Sequence, residues 1–104
     1  MAGARADHHG GSRRWARRPG VLSRAGGFGV ALWAPEADAP VVLAGTGPAV
    51  WEELAEGGTL DELAARLARR YGTEPDTVSA DLAATLDALA AAGVAGAGGD
   101  SPVR

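Results

Sequence analysis

Val41-Val42-Leu43-Ala44-Gly45-Thr46-Gly47-Pro48-Ala49-Val50-Trp51-Glu52-Glu53-Leu54, residues 41–54, is the stretch in which the hydrophobic period of this chain changes. It opens with a short β-branched run of the kind that suits a pleated, half-buried strand. After Gly45 the spacing becomes helical: Val50, Trp51 and Leu54 share a face, Pro48 suits a first turn that needs no N–H from it, and Gly57-Gly58 stop the helix. A strand that gives way to a helix at a glycine divides the chain into a β part upstream and an α part downstream.

Upstream, Ala34-Pro35-Glu36-Ala37-Asp38-Ala39-Pro40 has turn-forming residues at both ends. Before it, Phe28, Val30 and Leu32 alternate with Gly29, Ala31 and Trp33, which puts the first set inward and makes Trp33 the candidate for exposure. Val21 to Arg24 reads as a further strand, joined to that run through the glycine turn Gly26-Gly27. The simplest arrangement is a meander of short antiparallel strands in sequence order, in which the last strand, Val41 to Leu43, keeps one edge unpaired.

Downstream, Thr59-Leu60-Asp61-Glu62 is a capping box opening a second helix, whose Leu60, Leu63, Leu67 and Tyr71 lie on one stripe before Gly72 ends it. Thr73 or Glu74 followed by Pro75 starts a third, in which Val78, Leu82, Leu86 and Leu89 recur at helical spacing and Gly93 marks the stop. The fold class expected is α+β and winged helix-turn-helix-like: a three-stranded antiparallel β-meander followed by three α-helices.

Of the 104 residues 24 are alanine, which leaves 24 bulky apolar side chains, 21 of them between Gly20 and Val94. That supports one small core and no second domain. Residues 1–18 lack either hydrophobic period and are rich in Gly, Arg and His, so burial there cannot offset the roughly 1–2 kcal/mol per residue of ordering entropy. The division expected is therefore a disordered Arg-rich arm over 1–18, a folded domain over 19–95 and a flexible tail over 96–104, and the folded unit is expected to survive deletion of residues 1–17. The pairs Arg13-Arg14 and Arg17-Arg18 invite a twin-arginine export reading, but no apolar region follows them, and no run approaches the ~20 apolar residues of a transmembrane helix. The expectation is a soluble cytoplasmic protein with no membrane partner.

The same inventory narrows the chemistry. There is no cysteine, and the only histidines, His8 and His9, fall in the arm, so the expected body has neither a thiolate nor an imidazole with which to build a nucleophile, an acid-base pair or a metal site. Glu52-Glu53, Asp61-Glu62 and Asp76 stand where helix surfaces and first turns favour carboxylates. No enzyme activity, cofactor or metal is expected. DNA reading is disfavoured as well, because the third helix carries Glu74, Asp76, Asp81 and Asp87 and no base, and would repel phosphates. Arg66, Arg69 and Arg70 sit at the end of the second helix, where they complement its dipole without a ligand.

Taken together, the residues resemble the PqqD family, whose fold is shared by recognition elements of pathways that make ribosomally synthesised, post-translationally modified peptides. The likeness runs from about Arg18 to Ala95. It rests on Gly20-Val21-Leu22 leading to Arg24, on Val42-Leu43 followed by Gly45-Thr46-Gly47, on Val50-Trp51 with Leu54, and on Gly58-Thr59-Leu60 with Glu62-Leu63, Leu67 and Tyr71-Gly72. Asp81-Leu82, Leu86, Leu89 and Gly93-Val94 complete it. Many relatives have an Asn after the third strand where Ala44-Gly45 stands here, and a Gly-Leu-Leu type of close where this chain has Gly93-Val94-Ala95, which implies a shallower C-terminal seal.

The resemblance implies a non-catalytic peptide chaperone without a cofactor of its own. Its partners would be the leader segment of a precursor peptide and a modifying enzyme, which in the quinone-cofactor pathway is a radical enzyme using S-adenosylmethionine. A mechanism consistent with the residues is β-augmentation at the free edge of Val41 to Leu43. The expected peptide-binding residues are Val41, Val42 and Leu43 with Val78, Leu82, Thr85 and Leu89 of the third helix, while Leu86 is expected in the core. Since the family pattern has an acid at Asp81, a structural ion pair between Arg24 and Asp81 is expected. The alternative function is a winged-helix regulatory or scaffold protein whose basic arm touches nucleic acid.

Overall fold

The structure, a computed structural model, describes residues 13–98. In chain order its elements are β1 (Arg14–Arg17), β2 (Leu22–Gly26), β3 (Gly29–Trp33), β4 (Val41–Leu43), α1 (Gly47–Glu53), β5 (Gly58–Thr59), α2 (Leu60–Tyr71), α3 (Pro75–Ala91) and β6 (Ala95–Ala97). The expected meander is present: β2, β3 and β4 form an antiparallel sheet in that order. Leu32 pairs with Ser23 and Val41, and Val30 with Ala25 and Leu43, so Val30 and Leu32 share the face that packs on the helices. Leu22, Arg24, Ala31, Trp33 and Val42 occupy the other face.

One facing differs from expectation. Gly26 pairs with Gly29, so the hairpin turn is Gly27-Phe28 and Phe28, counted as inward from the alternation, is 52% exposed at the turn. Trp33, the expected exposed residue, is partly buried on the outer face. Glycine is needed at position 29: its φ is 122° and a Cβ there would strike the Leu43 carbonyl oxygen.

The helices follow their signals. Pro48 sits in the first turn of α1, and Val50, Trp51 and Leu54 are buried. Thr59 caps α2, its hydroxyl accepting from the Glu62 amide at 3.1 Å while the Glu62 carboxylate accepts from the Thr59 amide at 3.0 Å, and Gly72 closes the helix in the left-handed conformation at φ 68°. Leu82, Leu86 and Leu89 of α3 fill the centre with Leu32, Leu54 and Leu63. No polar or charged residue among those described is buried, so the core rests on apolar packing alone.

Strands reach beyond the expected limits of the domain at both ends. β1 is the middle strand of a second sheet, in order β5-β1-β6, with Trp15 opposite both Gly58 and Ala97 and Arg17 opposite Ala95. Two effects order the segment despite its polar composition: its backbone groups are paired from both sides, and its two inward side chains are held. Trp15 packs against the core, and the Arg17 guanidinium lies 4.1 Å from the Trp51 ring centroid while its Nη2 and Nε donate to the Trp51 carbonyl at 2.7 and 3.1 Å. Partial burial lowers the Arg17 pKa from the usual arginine value, the nearby Glu52 charge opposing it. At the other end Val94 and Ala95 are buried and the chain runs on through β6, so the close is sealed by a strand where a flexible tail was expected. Residues 1–12 of the expected arm and 99–104 of the expected tail lie outside the described residues.

Candidate functional site

Among the described residues β4 pairs with β3 only, which leaves its outer edge without a partner there. Val41 and Leu43 pack partly buried against the core, whereas Val42 is 54% exposed and turned to the outer face. The strand that carries unsatisfied backbone groups is therefore anchored on one face and open along its edge. Among the described residues the outer edge of β2 is also unpaired, but all five residues of β2 are exposed and no side chain there is fixed by packing on the core.

Beside the end of β4 runs a groove along α3. Thr46, from the connection after β4, and Val50 of α1 form one wall; Leu67 and Tyr71 of α2 form the other. α3 contributes Val78 and Leu82 to the apolar floor and Thr77, Asp81 and Thr85 to a polar row. Its volume of about 140 Å³ falls well below the ~300–1,000 Å³ of small-molecule pockets, so it suits a side chain of a larger partner.

Of the residues expected at the site, Val78, Leu82 and Thr85 meet in this groove. Val41, Val42 and Leu43 form the strand edge and do not line it. Leu89 is buried in the core at 1% exposure and reaches neither feature. The sequence marks Tyr71 only as part of a helical stripe, yet that stripe contains the signal: Leu63 and Leu67 are buried, and Tyr71, one turn further, overruns the core and stands 48% exposed at the groove.

The expected ion pair between Arg24 and Asp81 is absent. Arg24 pairs with Ala31 and so projects from the outer face of the meander, whereas α3 packs on the inner face with Val30 and Leu32. Asp81 lies at the groove without an ion-pair partner among the described residues. The arginines of α2 are engaged otherwise: Arg66 Nε donates to Glu53 at 2.9 Å and its Nη2 to the Gly57 carbonyl at 2.7 Å. Arg70 donates to Glu52 at 2.6 Å, a hydrogen bond that raises its pKa. Among the described residues no His, Asp or Glu side chains gather into a metal-binding group, and no helix is long and apolar enough to cross a membrane.

Comparison with known proteins agrees with this architecture. The solution NMR structure of the PqqD truncation of Methylobacterium extorquens PqqCD, a functional and stand-alone recognition element for ribosomally synthesised and post-translationally modified peptides, aligns with a TM-score of 0.67 at 26% identity, covering 83% of this chain and 92% of that one. Lasso peptide synthetase B1, in complex with the leader peptide, shares the fold with a TM-score of 0.65 at 22% identity over 78% of this chain and 95% of its own. No curated protein matches. The family of coenzyme PQQ synthesis protein D (PqqD) matches residues 29–95, from the glycine that closes the hairpin turn to the buried alanine that opens β6. With that match spanning well over half its length, the chain belongs to the PqqD family, whose domains are non-catalytic binding modules.

Proposed function

We propose that this protein is a peptide chaperone that binds the leader segment of a ribosomally made precursor peptide and presents the remainder to a modifying enzyme. The observation that carries the proposal is the edge of β4, unpaired among the described residues, beside a groove sized for a single side chain. An extended peptide adding to that edge satisfies backbone groups that are otherwise left to solvent, and its alternate side chains turn toward α3.

The energetics assign the two features different tasks. β4 is only three residues long, and backbone hydrogen bonds contribute about 0.5–1.5 kcal/mol net each, which association and ordering costs largely offset. Apolar contact in the groove must then supply most of the affinity and the selectivity. Val42 contributes through its main chain, because its side chain faces away from α3. The complex of lasso peptide synthetase B1 with the leader peptide supports this reading by analogy of fold.

Selection from a displayed library of randomised peptides tests it. The enriched sequences should bind wild type with saturation, and binding should be lost on Val42→Pro, which removes an edge donor or distorts the strand, and on Thr85→Arg, which fills the groove. Circular dichroism establishes that each variant is folded before affinities are compared. If both variants fold and bind as wild type does, β-augmentation at this edge is wrong.

A further inference from the structure

Asp81 is the one side chain charged at neutral pH among the residues lining the groove. The structural explanation for a carboxylate there, a pairing with Arg24, is ruled out by strand order and facing. Nearby charge does not neutralise it from its own helix, since Glu74, Asp76 and Asp87 are the other ionised residues of that segment. On the adjoining helix Arg70 is committed to Glu52 at 2.6 Å and Glu53 at 3.5 Å.

In the free protein Asp81 is exposed to water and costs nothing. A peptide lying over the groove removes part of that water. A neutral or acidic side chain above Asp81 then leaves a carboxylate with poorer solvation and no partner, whereas a guanidinium or ammonium replaces the lost water with a charge-assisted hydrogen bond. The same carboxylate therefore attracts one class of peptide and rejects another.

The spacing of the polar row specifies where that cation belongs. Thr77, Asp81 and Thr85 are four residues apart, about 6 Å at the helical rise of ~1.5 Å per residue. Side chains on one face of an extended strand recur every second residue, about 6.6 Å at ~3.3 Å per residue. A peptide strand running along the groove thus meets Asp81 and its neighbouring positions with consecutive side chains of a single face.

Resting on the leader-binding reading above, we propose that Asp81 determines the specificity of the groove, selecting peptides that carry an arginine or lysine over Asp81, two residues from the side chains that lie over Thr77 and Thr85.

The experiment repeats the selection from randomised displayed peptides on wild type, Asp81→Asn and Asp81→Arg, with Val42→Pro as the control for the site. Wild type should enrich sequences with Arg or Lys at one fixed position. Asp81→Asn should weaken a selected basic peptide about two- to fivefold, the range of a solvent-accessible ion pair, and Asp81→Arg should shift the enriched residue to Asp or Glu. Identical enrichment by wild type and both Asp81 variants overturns the specificity proposal, and if those peptides are still lost on Val42→Pro the leader-binding reading stands. Enriched peptides that bind folded Val42→Pro and Thr85→Arg undiminished overturn the site itself, and with it the role of Asp81. A wild type that enriches no sequence overturns both.

Discussion

Arg17 does work that is usually given to an apolar residue: its guanidinium covers the Trp51 ring at 4.1 Å and its fork of donors binds the Trp51 carbonyl. Arg17→Met keeps much of the cover and loses the charge and both donors, and should destabilise the domain by about 1–3 kcal/mol in urea unfolding. Trp51→Ala should cost about 3–5 kcal/mol, and the double variant should fall short of the sum, because each removes a partner of the other. The burial of Trp51 was legible from its place on the face of Val50 and Leu54; its guanidinium lid was not, since nothing in residues 13–18 marks one arginine as different from its neighbours. Phe28 shows the opposite failure. Alternation counted it inward, but the pairing of Gly26 with Gly29 puts it in the turn, and register is a property of the paired strands that one strand's pattern does not contain. At Glu62 the amide of Thr59 donates to the carboxylate and holds its pKa below the usual glutamate value, outweighing an opposing effect of desolvation, with the Arg14 charge as a smaller contribution in the same direction as the hydrogen bond. A group with a depressed folded pKa contributes stability above its unfolded pKa and loses it as pH falls through the folded one. The Glu62 carboxyl should thus titrate below a model-peptide glutamate by NMR, and the acid limb of the stability curve should flatten in Glu62→Gln.

β1 is the element whose removal is most informative. Deleting residues through Arg17 takes out the middle strand of β5-β1-β6 together with the Arg17 contact, so the melting temperature should fall by roughly 10 °C or more, at about 4–8 °C per kcal/mol for a domain this small. A melt unchanged by that deletion would show that the second sheet contributes no stability. The strand escaped prediction because the available sequence signals are hydrophobic periods and turn residues, while β1 is held by main-chain pairing to elements more than 40 residues away, at Gly58 and Ala97. The helices were legible for the converse reason, since caps and stripes are local. Thr59 joins the two cases, because it is the last residue of β5 and also the cap of α2. Thr59→Ala should therefore cost about 1 kcal/mol from the cap, with any excess measuring the coupling of the sheet to the helix. The groove was half legible: Val78, Leu82 and Thr85 share a helical face that the sequence displays, but Thr46, Val50 and Tyr71 join them only through the packing of α1 and α2 on α3.

Across the whole molecule the charges are segregated, with a formal net charge of -3 spread over an Arg-rich beginning and an acidic α3. Because edge pairing and apolar contact involve at most one ion pair, affinity for a selected peptide should change no more than a few-fold between ~50 and 200 mM salt, against the ~10³-fold or greater loss expected of a protein with many phosphate contacts. A steep salt dependence, with a nucleic acid as the better ligand, would favour the regulatory alternative. The long-range pairing that failed, Arg24 with Asp81, illustrates what only the assembled molecule decides: Arg24 projects from one face of the meander while α3 packs against the other. The β1–β6 ladder has a consequence of another kind. The Gly98 amide donates to the Arg14 carbonyl at 3.0 Å, so the first and last described segments leave the domain side by side. Chains continuing from either end depart from one point on the surface, and the domain as described could be spliced into a surface loop of a host protein, or closed into a ring and reopened between Ala34 and Pro40, without stretching either the insertion site or the groove.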